Sequence, residues 1–318
     1  SKNGWERPLW FAPKGVAPID QLGFLEPGWL KYVSEEHRAV QERVALIDQT
    51  SFAKFEIFGT GVLKFLQNLC VSDIDKPIGS VLYTQMCNPH GGIEADVTFV
   101  RLSINHFYMV TGSGFGVHDS EWLLSKFPTD GTIHLIEVTS GKAVINVVGP
   151  KSRDLLSKIS ETDVSGEAIP FATAREIIIG AAPVLASRIG YVGELGFELH
   201  IPSEFAIHVY KELWQAGQEM SIANVGYRAI ESLRMEKGYL YWSTDISPDY
   251  SPLEAGLGFR VHFDLKDDFL GRQALESQMK NGLDRKLFTF VSEQFLPLTG
   301  GETILERGRV VSLATSVA

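Results

Sequence analysis

The sequence predicts an α+β protein in which antiparallel strands and helices follow one another without strict alternation. Three observations predict it. Apolar residues recur at threes and fours in several separate stretches, the period of an amphipathic helix. Elsewhere they alternate one residue in two, the period of a half-buried strand. The gap between the strand-like runs 93–102 and 106–111 is too short for a parallel crossover and suits a hairpin.

Residues 1–28, with Gly4-Trp5-Glu6-Arg7-Pro8-Leu9-Trp10-Phe11, are rich in Pro, Gly and Trp and predict an extended segment that packs by its aromatics. Over 29–48 the pattern turns helical: Leu30, Val33, His37, Val40 and Val44 share a face, with Glu35, Glu36, Arg38, Glu42 and Arg43 around the other side. A strand follows at 52–58 and a short helix at 61–70, with Val62, Phe65, Leu66 and Leu69 on one stripe. After the Lys76-Pro77-Ile78-Gly79 turn, a strand at 81–87 leads to Asn88-Pro89-His90-Gly91-Gly92, which carries turn residues, and to the run from Ile93 to Leu102. There Ile93, Ala95, Val97 and Phe99 are expected to face a core. Glu94, Asp96 and Thr98 then share the opposite face.

Gly112-Ser113-Gly114-Phe115-Gly116 precedes a helix at 118–126 and invites comparison with a dinucleotide-binding turn. Its third glycine comes one place early, and the next strand-like run, 133–138, offers only Glu137 as the acidic partner, so a loop leading into a helix is the better reading. A strand at 142–148 stops at Gly149-Pro150, and the proline starts a helix over 151–159. Strands at 175–179, 184–189 and 196–201 precede a helix capped by Ser203 and running to 216. Further helices span 225–237, ended by Gly238, and 271–280, and strands are expected at 286–291 and 309–318.

With 318 residues and 44% hydrophobic content, the chain is long enough for more than one core. A net charge of -10 argues against a nucleic-acid or anionic-membrane surface, because either partner would repel it. Cys70 and Cys87 are the only cysteines, which fits buried thiols in a reducing compartment better than a disulfide framework or a zinc site. The eight histidines are scattered, so no metal site is expected. There is no apolar run of bilayer length and no charged-then-apolar leader, so a soluble protein is expected. The sequence begins at Ser1 rather than Met, which reads as a processing site or a domain boundary.

Two further stretches carry chemistry. Gly190, Gly193 and Gly196 fall within seven residues between two strands, so the loop bends sharply and its backbone can be approached closely. On the strand after it, Phe197, Leu199 and Ile201 take the core face and leave Glu198 on the open one. Spacing alone fits a surface glutamate there; it also fits a carboxylate that accepts two parallel hydrogen bonds from a ring amide and amino group, the donor edge of a pterin or guanine. Arg228 stands in the first turn of the helix that carries Ile230 and Leu233 toward the core. A guanidinium opposes the helix dipole there, a placement that makes sense if it serves an anion such as a ligand carboxylate.

Gly91-Gly92-Ile93-Glu94-Ala95-Asp96, then Gly190-Tyr191-Val192-Gly193-Glu194-Leu195-Gly196-Phe197-Glu198, then the helix Arg228 to Glu236, then Ser251-Pro252-Leu253-Glu254-Ala255-Gly256 come in one order along the chain. Together they resemble the aminomethyltransferase (glycine-cleavage T-protein) family, and most of all the folate-binding C-terminal halves of dimethylglycine and sarcosine dehydrogenases. The resemblance covers nearly the whole chain. It implies a three-lobed, ring-like fold with mixed and antiparallel sheets and tetrahydrofolate in the central opening. Carried over by motif, it implies Asp96 as the catalytic carboxylate, Tyr191, Glu198 and Arg228 around the pterin, and Glu194 behind them.

The function it implies is capture of a methylene or formaldehyde unit from an N-methyl amine as 5,10-methylenetetrahydrofolate, with FAD only in a partner domain or subunit. The expected organisation is a connecting segment and helix over 1–45, the folate-binding core over 46–285, and the start of a C-terminal β-barrel, apparently truncated, over 286–318. Bacterial cytoplasm or mitochondrial matrix is the expected compartment. A regulatory or docking paralogue of the same fold, or a folate-dependent demethylase of another methyl donor, is the rival. The branch of the family that carries a Lys-Gly-Cys motif is disfavoured, since Tyr239 follows Lys237-Gly238 here.

Overall fold

The computed structural model describes residues 2–20, 26–265, 267–293 and 298–317. In chain order the elements are α1 (Leu30–Glu42), β1 (Ala45–Asp48), β2 (Ala53–Gly59), α2 (Val62–Gln67), β3 (Val81–Cys87), β4 (Ile93–Ser103), β5 (His106–Thr111), α3 (Gly116–Leu124), β6 (Ile133–Glu137) and β7 (Lys142–Val148). Then come α4 (Ser152–Ile159), β8 (Ala174–Ile179), β9 (Ala182–Ser187), β10 (Gly196–Pro202), α5 (Ala206–Gly217), β11 (Ala223–Val225), α6 (Tyr227–Glu236), α7 (Arg272–Asn281), β12 (Thr303–Glu306) and β13 (Arg309–Leu313). The class is α+β, as expected, with two main sheets.

The first sheet runs β3-β4-β5-β2-β6, antiparallel throughout. Strand alternation splits it into two faces. Phe55, Ile57, Val97, Phe99, Phe107 and Met109 bury one face under Leu66 of α2 and Leu123 of α3. Tyr83, Gln85, Asp96 and Thr98 line the other, with Asp96 paired to Gln85 and Thr98 to Tyr83.

The second sheet runs β11-β1-β7-β10-β9-β8 and is mixed, since β1 lies parallel to β11. One of its faces, with Val147, Phe197, Leu199 and Val184, packs on Leu155 and Leu156 of α4 and Val209 and Leu213 of α5. On the opposite face, α1 and α6 cover the β1 end through Val33, Val40, Ala229, Ile230 and Leu233. The remainder of that face, at β7, β10 and β9, turns toward the first sheet. Tyr108 of β5 meets His200 of β10 there, hydroxyl to Nδ1 at 3.1 Å with the rings edge-on. Around them Val81, Val100 and Val110 pack with Leu185 and Ile189.

Several expectations need correction. The helix predicted over 29–48 ends at Glu42, and Ala45–Asp48 is a strand. Val44, Ala45, Leu46 and Ile47 are all buried, and so short a run, apolar on both faces, does not separate helix from strand by periodicity. Its parallel neighbour β11, only three residues long, gave no signal of its own. Ser203 makes no side-chain cap; a 3-10 turn, Ser203–Phe205, precedes α5. Residues 286–291 form no strand, and Phe288, Phe290 and Val291 stand exposed, so the alternation there has no buried face to serve. The C-terminal ribbon, β12-β13, closes no barrel among the described residues, which is in keeping with the incomplete barrel expected there. Residues 21–25 of the expected extended segment and Ala318 of the last expected strand lie outside the described residues.

Other local expectations hold. Trp10 stacks on Tyr32 of α1 at 5.4 Å, which docks the extended N-terminal segment by its aromatics. Glu254 and Ser251 cap one another reciprocally, backbone N–H to side chain at 2.8 and 3.1 Å. Cys70 and Cys87 are buried free thiols.

A buried ion pair ties the end of the chain to this body. Arg234 of α6, 2% exposed, donates to Asp245 Oδ2 at 2.8 Å, and Thr315 donates to the other carboxylate oxygen at 2.6 Å. Asp245→Ala is expected to lower stability by about 1–3 kcal/mol in chemical denaturation, because it removes the buried partner of the guanidinium and leaves Arg234 only its half-exposed pair with Glu231 and its bonds to Tyr239 O and Ser316 Oγ. A loss below about 1 kcal/mol would show that the pair is not the anchor it resembles.

Candidate functional site in the cleft between the sheets

Asp96 sits on the inward face of β4, and two neighbours on β3 hold it. Gln85 Nε2 donates to Asp96 Oδ1 at 2.7 Å, and Tyr83 also hydrogen-bonds the carboxylate. Burial pushes the Asp96 carboxyl up to about 6; the hydrogen bonds from Gln85 and Tyr83 pull against it, and the negative charge of Asp119 adds to it. Tyr191 lies close enough for its charge and that of Asp96 both to raise the Tyr83 phenol, behind burial as the main cause. The Tyr191 hydroxyl donates to Leu240 O at 2.7 Å, and its ring stacks with Tyr239 at 6.1 Å.

Glu198 sits on β10, with Asn146 of β7 on one side and Ser187 of β9 on the other in register. All three point away from the helix-covered face. The Glu198 side chain keeps 13% of its surface, and burial pushes its carboxyl up to about 7. The cation nearest in kind, His200 Nε2, is 3.9 Å from Glu198 Oε2, but burial drives that imidazole down to about 3, so it is neutral and brings no charge. Among the described residues neither a cation nor a hydrogen-bond donor answers this carboxylate, so its burial is uncompensated.

The residues around it show the same deficit. Among the described residues, Asn146 Nδ2 and Oδ1 and Ser187 Oγ beside Glu198, and Gln85 Oε1 beside Asp96 on the other sheet, are buried without a hydrogen-bond partner. Buried polar atoms are otherwise paired almost everywhere in folded proteins. This set therefore fits a flat polar ligand that offers both donors and acceptors along its edges. The glycine-rich loop keeps the approach open: Gly193 has φ +73, and a Cβ there would meet the Lys237 side chain at 2.3 Å.

The two other candidates are engaged in ion pairs. Arg228, in the first turn of α6, makes a bidentate contact with Asp20 at 2.9 and 2.6 Å and lies over the Trp29 ring at 4.1 Å. Its guanidinium holds the Asp20 carboxyl below the usual range. Pro8 and Leu9 carbonyls accept the Tyr227 and Arg228 N–H groups, so the N-terminal segment fills the start of that helix. Glu194 pairs with Lys237 at 3.4 Å on the loop surface. Asp96 and Tyr191 are thus near one another, Glu198 stands on the facing sheet, and Arg228 meets the anion of Asp20. Tyr83, Gln85, Asn146 and Ser187 were not singled out from sequence, because strand register decides which polar residues line a cleft.

The family model described as the GCVT N-terminal domain matches residues 1–265. This chain belongs to that aminomethyltransferase family. It is 34% identical to human mitochondrial sarcosine dehydrogenase over 98% of this chain and 38% of that protein. It is 35% identical to the mitochondrial pyruvate dehydrogenase phosphatase regulatory subunit of Mus musculus, over all of this chain and 37% of that one. The chain therefore spans well under half the length of these relatives. The glycine cleavage system aminomethyltransferase T of Bartonella henselae shares the fold, with a TM-score of 0.71 at 24% identity over 83% of this chain and 72% of that one. Identity alone does not separate the dehydrogenase from the regulatory subunit.

Glu198 makes stability pH-dependent. Its folded carboxyl binds a proton up to about 7, against 4.5 for the ordinary side chain, so the native state holds the extra proton between those values. Stability is expected to fall as pH rises from about 4.5 to 7, on the order of 3 kcal/mol for this group. Denaturant melts across that range should show the fall in the unaltered chain and a flatter profile in Glu198→Gln. Equal slopes would contradict the placement.

Proposed function

We propose that this chain binds tetrahydrofolate with its pterin in the cleft between the two sheets and uses it to take up a one-carbon unit. The unit is a methylene or formaldehyde carbon from an N-methyl amine of the dimethylglycine or sarcosine type, and the product is 5,10-methylenetetrahydrofolate. One observation carries the reading: a cation-free buried carboxylate, Glu198, flanked by the unpartnered polar atoms of Asn146 and Ser187. A pterin presents a ring N–H and an amino group side by side, and an ionised Glu198 accepts both. Asn146 and Ser187 supply the donors and acceptors that the rest of the ring edge requires.

Bound folate supplies the nitrogens that receive the carbon. Asp96 holds and takes up a proton beside them, and with its carboxyl near 6 it is ionised at neutral pH yet basic enough to accept one. Gln85 and Tyr83 fix its orientation. Tyr191 closes the cleft from the glycine-rich loop, with Glu194 and Lys237 stiffening that loop from outside. Arg228 meets the anionic tail of the folate by exchanging the Asp20 carboxylate for the ligand's. The amine is oxidised in an FAD-bearing partner domain or subunit, and a closed path between the two sites keeps the reactive carbon from water. Buried free thiols at Cys70 and Cys87 fit a reducing compartment, bacterial cytoplasm or mitochondrial matrix.

A second reading, a folate-independent regulatory or docking module, is favoured by the equal likeness to the phosphatase regulatory subunit. Calorimetry with tetrahydrofolate separates the two. Glu198→Gln is expected to weaken binding about 10- to 100-fold, the worth of a hydrogen bond to a charged group. Asp96→Asn is expected to keep affinity within about threefold but to slow condensation of formaldehyde with bound folate by about 10²- to 10⁴-fold. Absence of binding in the folded, unaltered chain would favour the regulatory reading.

A further inference from the structure

Glu198 and His200 stand two residues apart on β10 and therefore share its inward face. The imidazole is 2% exposed and lies between Val144 of β7 and Leu185 of β9 in register; neither the folate contacts nor the proton on Asp96 uses it. From the facing sheet, Tyr108 of β5 brings its hydroxyl to His200 Nδ1 at 3.1 Å, with the rings 87° apart and 5.1 Å between centroids. The other ring nitrogen, Nε2, lies 3.9 Å from Glu198 Oε2. Phenol and carboxylate are thus joined through the two nitrogens of one buried ring.

The ring is neutral, because burial first, and then the charges of Lys54 on β2 and Lys142 on β7, hold it down to about 3. One of its nitrogens therefore carries a proton and the other a lone pair. The Tyr108 phenol keeps its own proton: burial raises it, and the negative charges of Glu198 and of Glu56 on β2 add to that. If Nδ1 held the ring proton, the Tyr108 proton would lose its buried acceptor and the Nε2 lone pair would face a carboxylate oxygen, two unfavourable arrangements at once. With the lone pair on Nδ1, Tyr108 donates to it and Nε2–H faces Glu198. Of the other charged groups about the ring, Lys54 and Glu56 bond elsewhere: Lys54 Nζ donates to the Thr50 and Lys142 carbonyls at 2.7 and 2.6 Å, and Glu56 meets His106 at 3.1 Å.

We propose that His200 is a positioning residue for the ligand-binding carboxylate, set by Tyr108 to present a neutral N–H donor to Glu198 Oε2. At 3.9 Å the contact is longer than a hydrogen bond, so in the free protein the N–H acts as a dipole aimed at the oxygen. Glu198 holds a proton up to about 7, and a ligand that donates two hydrogen bonds to it requires the ionised form. As that proton leaves for solvent, the charge draws Oε2 and Nε2–H together, and the ring satisfies a lone pair that the ligand's two donors do not use. A neutral donor suits this place better than a cation, which would hold Glu198 ionised and paired before any ligand arrived. The purpose given to the donor rests on the folate reading of the cleft; the tautomer and its aim at Glu198 do not.

Two measurements need neither ligand nor a change at His200. Long-range nitrogen–proton NMR at neutral pH is expected to show His200 protonated at Nε2 and bare at Nδ1; a proton on Nδ1 overturns the proposal. As pH rises through the ionisation of Glu198, His200 Nε2 is expected to shift with the same midpoint, at about 7, and to stop doing so in Glu198→Gln. An Nε2 that ignores Glu198 also overturns it. The third measurement is tetrahydrofolate calorimetry. His200→Gln, which keeps an N–H donor, is expected to hold affinity within about threefold, and His200→Leu, which keeps bulk alone, to lose about tenfold, the worth of one hydrogen bond. In the Glu198→Gln background His200→Leu is expected to cost less than about twofold more, because the ring acts through the carboxylate. Equal losses in both backgrounds assign His200 to packing and overturn the proposal. Failure of the folate reading shows separately, as absent heat of binding in the unaltered chain, and the two spectroscopic results then decide.

Discussion

The structure depends on two sheets that each hide one face under helices and turn the other toward a common polar interior. Phe55, Ile57, Phe99 and Phe107 drive the first burial; Val147, Phe197 and Leu199 drive the second. Strand alternation then obliges every second residue to look into the space between. Apolar contacts at Val81, Val100 and Val110 and the Tyr108–His200 bond hold the sheets together on part of that space. The rest is lined by Asp96, Gln85, Glu198, Asn146 and Ser187. Their exclusion from water is costly unless something answers them, and this sets the space between the sheets apart from the packed cores on the outer faces.

The N-terminal segment and α6 form a second, separable arrangement. The Glu36 carboxylate, buried on α1, accepts the backbone N–H groups of Gly226 and Phe11. Pro8 and Leu9 carbonyls take the next two N–H groups, and a Cβ at Gly226 would meet Leu9 backbone at 2.4 Å. These contacts satisfy the helix start from within the chain. Arg228 is left to reach sideways to Asp20. Segment, helix and guanidinium are therefore tied together by contacts made within the chain.

Much of this was legible in the sequence because the apolar pattern of β4 and β10 is regular. Alternation alone placed Glu94, Asp96 and Glu198 on open faces, and the burial of Ile93, Ala95, Phe197 and Leu199 agrees with it. The cleft's other lining residues were hidden for a physical reason. Asn146 and Ser187 become neighbours of Glu198 only through register between strands some fifty and ten residues away, and no local period records register. Arg228 shows the converse. Its place on the helix was readable, but its partner, Asp20, comes from 208 residues upstream. Where the pattern served no buried face, as at Phe288 and Phe290, alternation predicted a strand that does not form.

The central claim is that Glu198, Asn146 and Ser187 await the edge of a pterin. A crystal structure of the chain soaked with tetrahydrofolate tests it most directly. The account predicts the pterin between the sheets, its ring N–H and amino group both within about 2.7–3.1 Å of the Glu198 carboxylate, and new partners for Asn146 and Ser187. Folate bound elsewhere, or a filled cleft in which Glu198 and Asn146 remain unpartnered, would contradict it.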